Sequence, residues 1–287
     1  GYNAQAYARV GQSGAKISAA SADVNIATAK TETNAKSTVT GSGSVNITGE
    51  LGVRVNGDAT ATADVRTAQL NASLASLTAN RVYAYQSARQ EAYFNTTGGT
   101  ITAGSITVDS YFARTTTNGT ITNGAHATVG STEGAEISGV SAKLNFAKAY
   151  AAMQSHAWVG GTAGTIRVSG KLTVNSEAYT YAGATANSPS SASLANISAL
   201  KATAYTNDTI TAGLGAEDGG TSGVTIEAGD ISVNAYGDTV SRTKSVSSFS
   251  ISALDGGDAS IYAYVGESAS NPQTVRVYAA RNVVVKS

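Results

Sequence analysis

The chain has 287 residues, 31 of them Gly and only 2 Pro, with no Cys, and 13% carry charge where ordinary globular domains run near ~25%. Nineteen Lys and Arg offset nineteen Asp and Glu, and no basic run is present, which argues against a nucleic-acid or anionic-membrane footprint. The zero net charge and 41% hydrophobic residues oppose disorder, which pairs low hydrophobicity with high net charge; the absent Cys excludes a small disulfide scaffold.

Taken along the chain, the sequence repeats itself. The segment Gly14-Ala15-Lys16-Ile17-Ser18 to Ile26-Ala27 returns as Gly134-Ala135-Glu136-Ile137-Ser138 to Phe146-Ala147, sharing G-A-x-I-S-x-x-S-A-x-x-N-x-A. Between these copies comes Val45-x-Ile47, then Gly49-Glu50-Leu51-Gly52-Val53. Next follow Ser73-Leu74-Ala75-Ser76-Leu77-Thr78-Ala79 and the alternating Tyr83-Ala84-Tyr85. Ile101 with Gly104-Ser105-Ile106-Thr107-Val108 repeats the glycine element, as do Ile166-x-Val168 with Gly170 to Val174 and Val224-x-Ile226 with Gly229 to Val233. Tyr179-Thr180-Tyr181 and Tyr262-Ala263-Tyr264 alternate in the same way, and Ser193 to Ala199 copies Ser73 to Ala79. Val275-x-Val277 and Arg281-Asn282-Val283-Val284-Val285 form a decayed last pair.

These segments alternate with period 2 and are rich in β-branched residues and Thr, which predicts strands; Gly at each break suits a corner, by positive φ or by close backbone approach. Helix is disfavoured because apolar residues fall at i, i+2, i+4 and poor helix formers fill the gaps. The anchor of an apolar residue followed by Ser or Thr falls at Ile17, Leu77, Ile137, Ile197 and Ile251, a unit of about 60 residues. The expected fold is all-β, a parallel β-helix running as one continuous solenoid over 1–287. Its approximate units are 1–42 (partial), 43–98, 99–162, 163–222, 223–272 and 273–287 (partial). Dividing each unit into three rungs of ~20 residues predicts ~14 rungs and a rod of ~65 Å. No cap is visible at either end, and no signal peptide precedes Gly1-Tyr2-Asn3, so the polypeptide is expected to continue or to have been processed. An uncapped rung also offers edges for head-to-tail association with further copies. No apolar stretch reaches the ~20 residues of a bilayer span, so no membrane insertion is expected.

The units Gly43-Ser44-Val45-Asn46-Ile47-Thr48-Gly49, 99–108 and 223–235 resemble the repeat regions of filamentous-haemagglutinin-like adhesins and other giant, Ala/Thr/Gly-rich bacterial surface proteins. The resemblance covers nearly the whole chain. It implies a right-handed parallel β-helix, extracellular display at a cell surface and a role as a stalk or contact surface. It carries over no site residue. The lack of Cys suits such exported proteins, which stay uncrosslinked during secretion.

Candidate sites are few. His126 and His156 lie 30 residues apart with no convergent partner in the sequence, and no G-x-S-x-G elbow is present. The acidic clusters Glu217-Asp218-Gly219-Gly220 and Asp255-Gly256-Gly257-Asp258 match no calcium-loop spacing and read as solvated turns. A polysaccharide-processing β-helix needs carboxylates stacked on one face. Glu50, Ser105, Lys171 and Asp230 share a column but alternate in chemistry, which reads as charge compensation. Six N-x-S/T sequons (Asn46, Asn71, Asn95, Asn118, Asn196 and Asn207) are about what chance supplies in so Ser/Thr-rich a chain. The Tyr residues recur in register at Tyr85, Tyr150, Tyr205 and Tyr264, a ladder suited to stacking and to contact with a glycan or a neighbouring surface. The expected role is therefore a structural or adhesive shaft without catalysis, cofactor or metal. A self-assembling filament or sheath subunit is the alternative, and a polysaccharide-binding or -processing β-helix the second.

Overall fold

The computed structural model describes residues 1–130, 135–188, 190–216, 222–247, 250–265, 274–278 and 283–285. These are almost wholly extended, with no helix among them. In chain order the strands are β1 (Tyr2–Gly41), β2 (Val45–Phe112), β3 (Thr116–Thr117), β4 (Thr120–Ile121), β5 (Gly124–Val129) and β6 (Ala135–Ser188). They continue with β7 (Ser190–Gly215), β8 (Val224–Ser247), β9 (Ser250–Val265), β10 (Thr274–Tyr278) and β11 (Val283–Val285). All but β3 and β4 join one parallel sheet that winds on itself, so the fold is a parallel β-solenoid.

The register overturns the expected three rungs per unit. Tyr2 lies against Gly57, Leu70 against Ala135, Ala135 against Ser190 and Gly164 against Val224. Each coil therefore consumes a whole unit, and the column Ile17–Ala72–Ile137–Ala192–Ile251 counts five coils where ~14 rungs were expected. At ~4.8 Å per coil the axis is short, about 20–25 Å, and the coil is correspondingly wide.

The core explains the width. In the second coil Val53 and Val55 belong to one apolar cluster, Ala59 to a second, and Ala61, Ala63 and Val65 to a third. The chain then reverses and passes through them in the opposite order: Val82 and Ala84, then Ala88, then Ala92 and Phe94. Two long walls thus face one another along their whole length. Alternating inward residues, many of them Ala, let the walls zip across a narrow interior.

Corners fall where the backbone is crowded. A Cβ on Gly104 would stand 2.8 Å from the Thr48 carbonyl oxygen, one on Gly170 the same distance from Gly104 O, and one on Gly229 3.0 Å from Gly170 O. The stacked Gly-x-apolar elements therefore need glycine for close approach. Between β2 and β5 the third coil bulges outward in the small β3–β4 hairpin, turned by Asn118 (φ 50°) and Gly119. This excursion accounts for the 65-residue step between Leu70 and Ala135, against 55 between Tyr2 and Gly57. The last repeat also departs from expectation. Val283 to Val285 lie against Ile226 to Ala228, whereas the decayed copy was expected over Ile231 to Val233.

Where the walls turn into one another, at residues 70–80 of the second coil, the interior changes character. Ser76, Asn80, Ser141 and Asn145 are buried there, and the equally buried Lys143 reaches Glu136 at 3.1 Å. The Asn of the repeated motif forms a ladder along the axis. Asn25 Nδ2 donates to Asn80 Oδ1 at 2.9 Å, Asn80 Nδ2 to Asn145 Oδ1 at 2.8 Å, and Asn145 Nδ2 to the Asn187 carbonyl at 2.6 Å. Each buried amide satisfies the one above it, which is the condition for keeping polar groups inside. Replacing Asn80 with Ala removes at once the acceptor of the Asn25 Nδ2 bond and the donor of the Asn145 Oδ1 bond. Urea denaturation of Asn80→Ala is expected to show a loss of about 2–4 kcal/mol, and a loss within error of zero would show that the ladder does not hold the turn.

Candidate functional site

The outward side of the second wall carries the richest chemistry. Strand alternation sends Arg81, Tyr83 and Tyr85 outward in the second coil, Phe146, Lys148 and Tyr150 in the third, and Lys201, Thr203 and Tyr205 in the fourth. The register stacks Arg81, Phe146 and Lys201 in one column and Tyr83, Lys148 and Thr203 in the next. A third column holds Tyr85, Tyr150, Tyr205 and Tyr264, the ladder expected from the sequence. Tyr83 and Tyr85 stack with ring centroids 6.2 Å apart, and Tyr85 meets Tyr150 at 6.5 Å. Burial, and then the neighbouring Tyr83, pushes the Tyr85 phenol above its ordinary pKa, so it stays a neutral hydrogen-bonding group.

Sequence reasoning missed the cations between these rings. Arg81 lies 5.8 Å from the centre of the Phe146 ring, Lys148 5.3 Å from Tyr205 and Lys201 5.7 Å from Tyr262. None of the three makes an ion pair with a carboxylate among the described residues. Together with Tyr83 and Thr203 they line a cleft of about 280 Å³ that contains no Asp or Glu. Each ring presents its negative face to a cation, and the cation keeps spare donors toward solvent. Such a surface interleaves aromatic rings with positive charge. Comparing residues 120 apart hides this pattern; it shows when successive coils are aligned at their own offsets.

The first wall carries a contrasting aromatic line. Tyr111 meets Tyr179 edge to face at 6.0 Å and Tyr179 meets Tyr236 at a tilt at 5.9 Å, but among Asp109, Glu177 and Asp238. Burial first, then the Glu177 charge, raises the Asp109 pKa. The two walls thus differ in the sign of charge that accompanies their tyrosines.

The other sequence candidates do not converge. His126, on β5, hydrogen-bonds the Asn123 carbonyl through Nε2 at 3.1 Å and packs 5.0 Å from the Tyr181 ring. Burial holds its pKa below the ordinary histidine value, against the opposing hydrogen bonds to the Asn123 and Thr122 backbone. His156 sits on β6 in the column Glu91–His156–Thr211. Among the described residues no three His, Asp or Glu side chains gather as a metal site would need. Glu217 to Gly220 lie outside the described residues. Asp255 to Asp258 form part of β9, paired against Asn196 to Ala199, and not a turn as expected; the glycines are accommodated by the ladder of the coil below. Of the column Glu50, Ser105, Lys171 and Asp230, the register places Lys171 directly against Asp230. No family model, no curated protein and no solved structure matches the chain.

The most perturbed carboxyl is structural. Asp208, 1% exposed, stacks over Met153, accepts its backbone N–H at 3.0 Å and accepts the Thr239 hydroxyl at 2.8 Å. Burial pushes its pKa from 3.8 up to about 6, in spite of these hydrogen bonds. The folded protein therefore holds this proton more tightly than the unfolded chain. The stability from Asp208 is full below about pH 4 and is lost as pH rises through about 6, a difference of ~3 kcal/mol. Asp208→Asn keeps the acceptor for Met153 and removes the charge. Its stability at pH 7 is expected to exceed that of the wild type, with the gap closing at pH 4 in paired urea titrations. A gap that is constant with pH would contradict the assignment.

Proposed function

We propose that this chain is a structural and adhesive shaft segment of a large secreted bacterial cell-surface protein, acting without catalysis, and that the aromatic–cationic wall is its contact surface. The observation that carries the reading is the row of Arg81, Lys148 and Lys201, each held over an aromatic ring and unpaired with any described carboxylate. Stacking in register repeats this chemistry along the solenoid axis, so a chain-like ligand meets similar groups at successive coils. An acidic polysaccharide has the matching chemistry: sugar C–H faces for the rings and carboxylate or ester anions for the cations. Each contact is weak alone, and a wall presenting several gains by multivalency. The absence of carboxylates from the cleft lining supports binding over glycosidic chemistry, which needs an acid and a base or nucleophile.

The test is retention on uronate-rich against neutral polysaccharide. Wild-type protein is expected on the acidic matrix and to elute with salt, because exposed charges are screened. Lys148→Gln with Lys201→Gln, both surface changes, is expected to weaken binding by about tenfold or more while leaving the circular-dichroism spectrum unchanged. Equal retention on neutral polysaccharide, or no effect of the double substitution, would refute the assignment of this wall.

A further inference from the structure

The short face that joins the two walls has its polarity inverted. Its inward positions hold the Ser, Asn and Lys–Glu groups described above, while its outward positions are apolar. Ile17 is 88% exposed, Leu74 74% and Leu194 72%. The repeated anchor residues Ile17, Leu77, Ile137 and Ile197 lie on this surface and contribute little to the core. Large side chains kept in water at repeating positions are the exception in a monomeric protein, and a contiguous set of them marks a contact surface.

The arrangement is more specific than a greasy patch. The column Ile17–Ala72–Ile137–Ala192 alternates large and small from coil to coil. Five residues along the strand, Ala22–Leu77–Ala142–Ile197 alternates in the opposite phase. Between them Leu74 and Leu194 flank Gly139, where a Cβ would stand 2.6 Å from the Leu74 carbonyl oxygen, so that hollow is fixed by the backbone. The result is a checkerboard: knobs repeat every second coil, about 9.6 Å, and each has a hollow directly above and below it. This explains why the strongest sequence match spans 120 residues, two coils.

We infer that this face docks a second copy of the same chain, its knobs seated in the partner copy's hollows by a displacement of one coil. The surface that fits a checkerboard of this spacing is the same checkerboard shifted by one step, as in the interdigitated faces of packed sheets. Charge permits it. Lys16 pairs with Asp23 at 3.2 Å and Lys143 with Glu136 at 3.1 Å beneath the surface, so two copies meet without like charges opposed. Size permits it too. From the column of Leu70 to that of Val24, across five coils, the face spans roughly 30 by 24 Å, or about 700 Å². A standard interface buries about 800 Å² per partner. A lipid surface would gain from the apolar area and nothing from the alternation. This docking uses a different face from the aromatic wall, so it stands or falls independently of what that wall binds.

Sedimentation velocity over a wide concentration range tests it. The wild type is expected to pass from monomer to dimer. Ile137→Glu and Leu194→Glu place charge on knobs and are expected to weaken dimerisation by at least about tenfold. The decisive variant fills hollows: Ala142→Leu with Ala192→Leu adds apolar surface but abolishes the alternation, and is expected to weaken dimerisation as strongly. All these positions point outward, and a melting curve checks that each variant is folded. A wild type that stays monomeric, with or without binding to neutral phosphatidylcholine vesicles, overturns the proposal. Tighter association of the hollow-filled variant overturns it as well, because an undifferentiated apolar patch would behave in that way.

Discussion

The backbone ladder between successive coils is the constraint on which everything else rests. In a parallel solenoid each N–H and C=O outside the corners is paired with the coil above or below, and the pairing admits no slip: a one-residue shift would turn every inward side chain outward. Continuous registers such as Tyr2–Gly57 through Gly41–Thr96 therefore bind each residue's environment to those of its column neighbours. A side chain is chosen for a column as much as for a position. Glycine at Gly104, Gly170 and Gly229, amide on amide at Asn25, Asn80 and Asn145, and Tyr on Tyr at 85, 150 and 205 are three solutions to that one requirement.

The same constraint accounts for the composition. Two walls packed face to face across a thin interior need small inward residues where they run closest, and the cluster built from Ala61, Ala63, Ala84, Ala125, Ala127 and Ala149 supplies them. Toward the glycine corners the space widens and Ile106, Ile166, Leu172 and Ile226 fill it. Polar residues enter the interior at the turn between walls, around the amide ladder and the Lys143–Glu136 pair, and within the walls, where Ser110, Ser155 and Ser176 bond one another and Asp208 accepts from the Met153 N–H and the Thr239 hydroxyl. A chain with few charges and many Ala, Ser, Thr and Gly is thus suited to this one architecture.

Much of the fold could be read from the sequence because columns leave a periodic trace. The strand alternation, the parallel stacking, the glycine elements and the Tyr85–Tyr150–Tyr205–Tyr264 column were all visible there. The size of the coil was not, because a 60-residue period is compatible with one turn or with three, and only the pairing partners decide. The even spacing of Ile17, Leu77, Ile137 and Ile197 also concealed two columns in opposite phase, since coils of 55 and 65 residues average to 60. For the candidate site, the tyrosines were legible as a repeat. Arg81, Lys148 and Lys201 were not, because they sit on three coils in two neighbouring columns and meet the rings only after folding.

The aromatic–cationic wall and the checkerboard face both derive from one coil per unit, for another coil length would scatter their residues. Cysteine cross-linking tests that directly, in a chain with no Cys of its own. Asn175 and Asn234 lie side by side in register on the surface, with Asn234 Nδ2 donating to Asn175 Oδ1 at 2.8 Å. Cysteines at these two positions are predicted to form a disulfide under mild oxidation, because adjacent parallel strands place Cα atoms within bridging range. Cysteines at Asn175 and Ala195, about one 20-residue rung apart, are predicted to stay reduced. Bridging of the second pair and not the first would contradict the one-coil register.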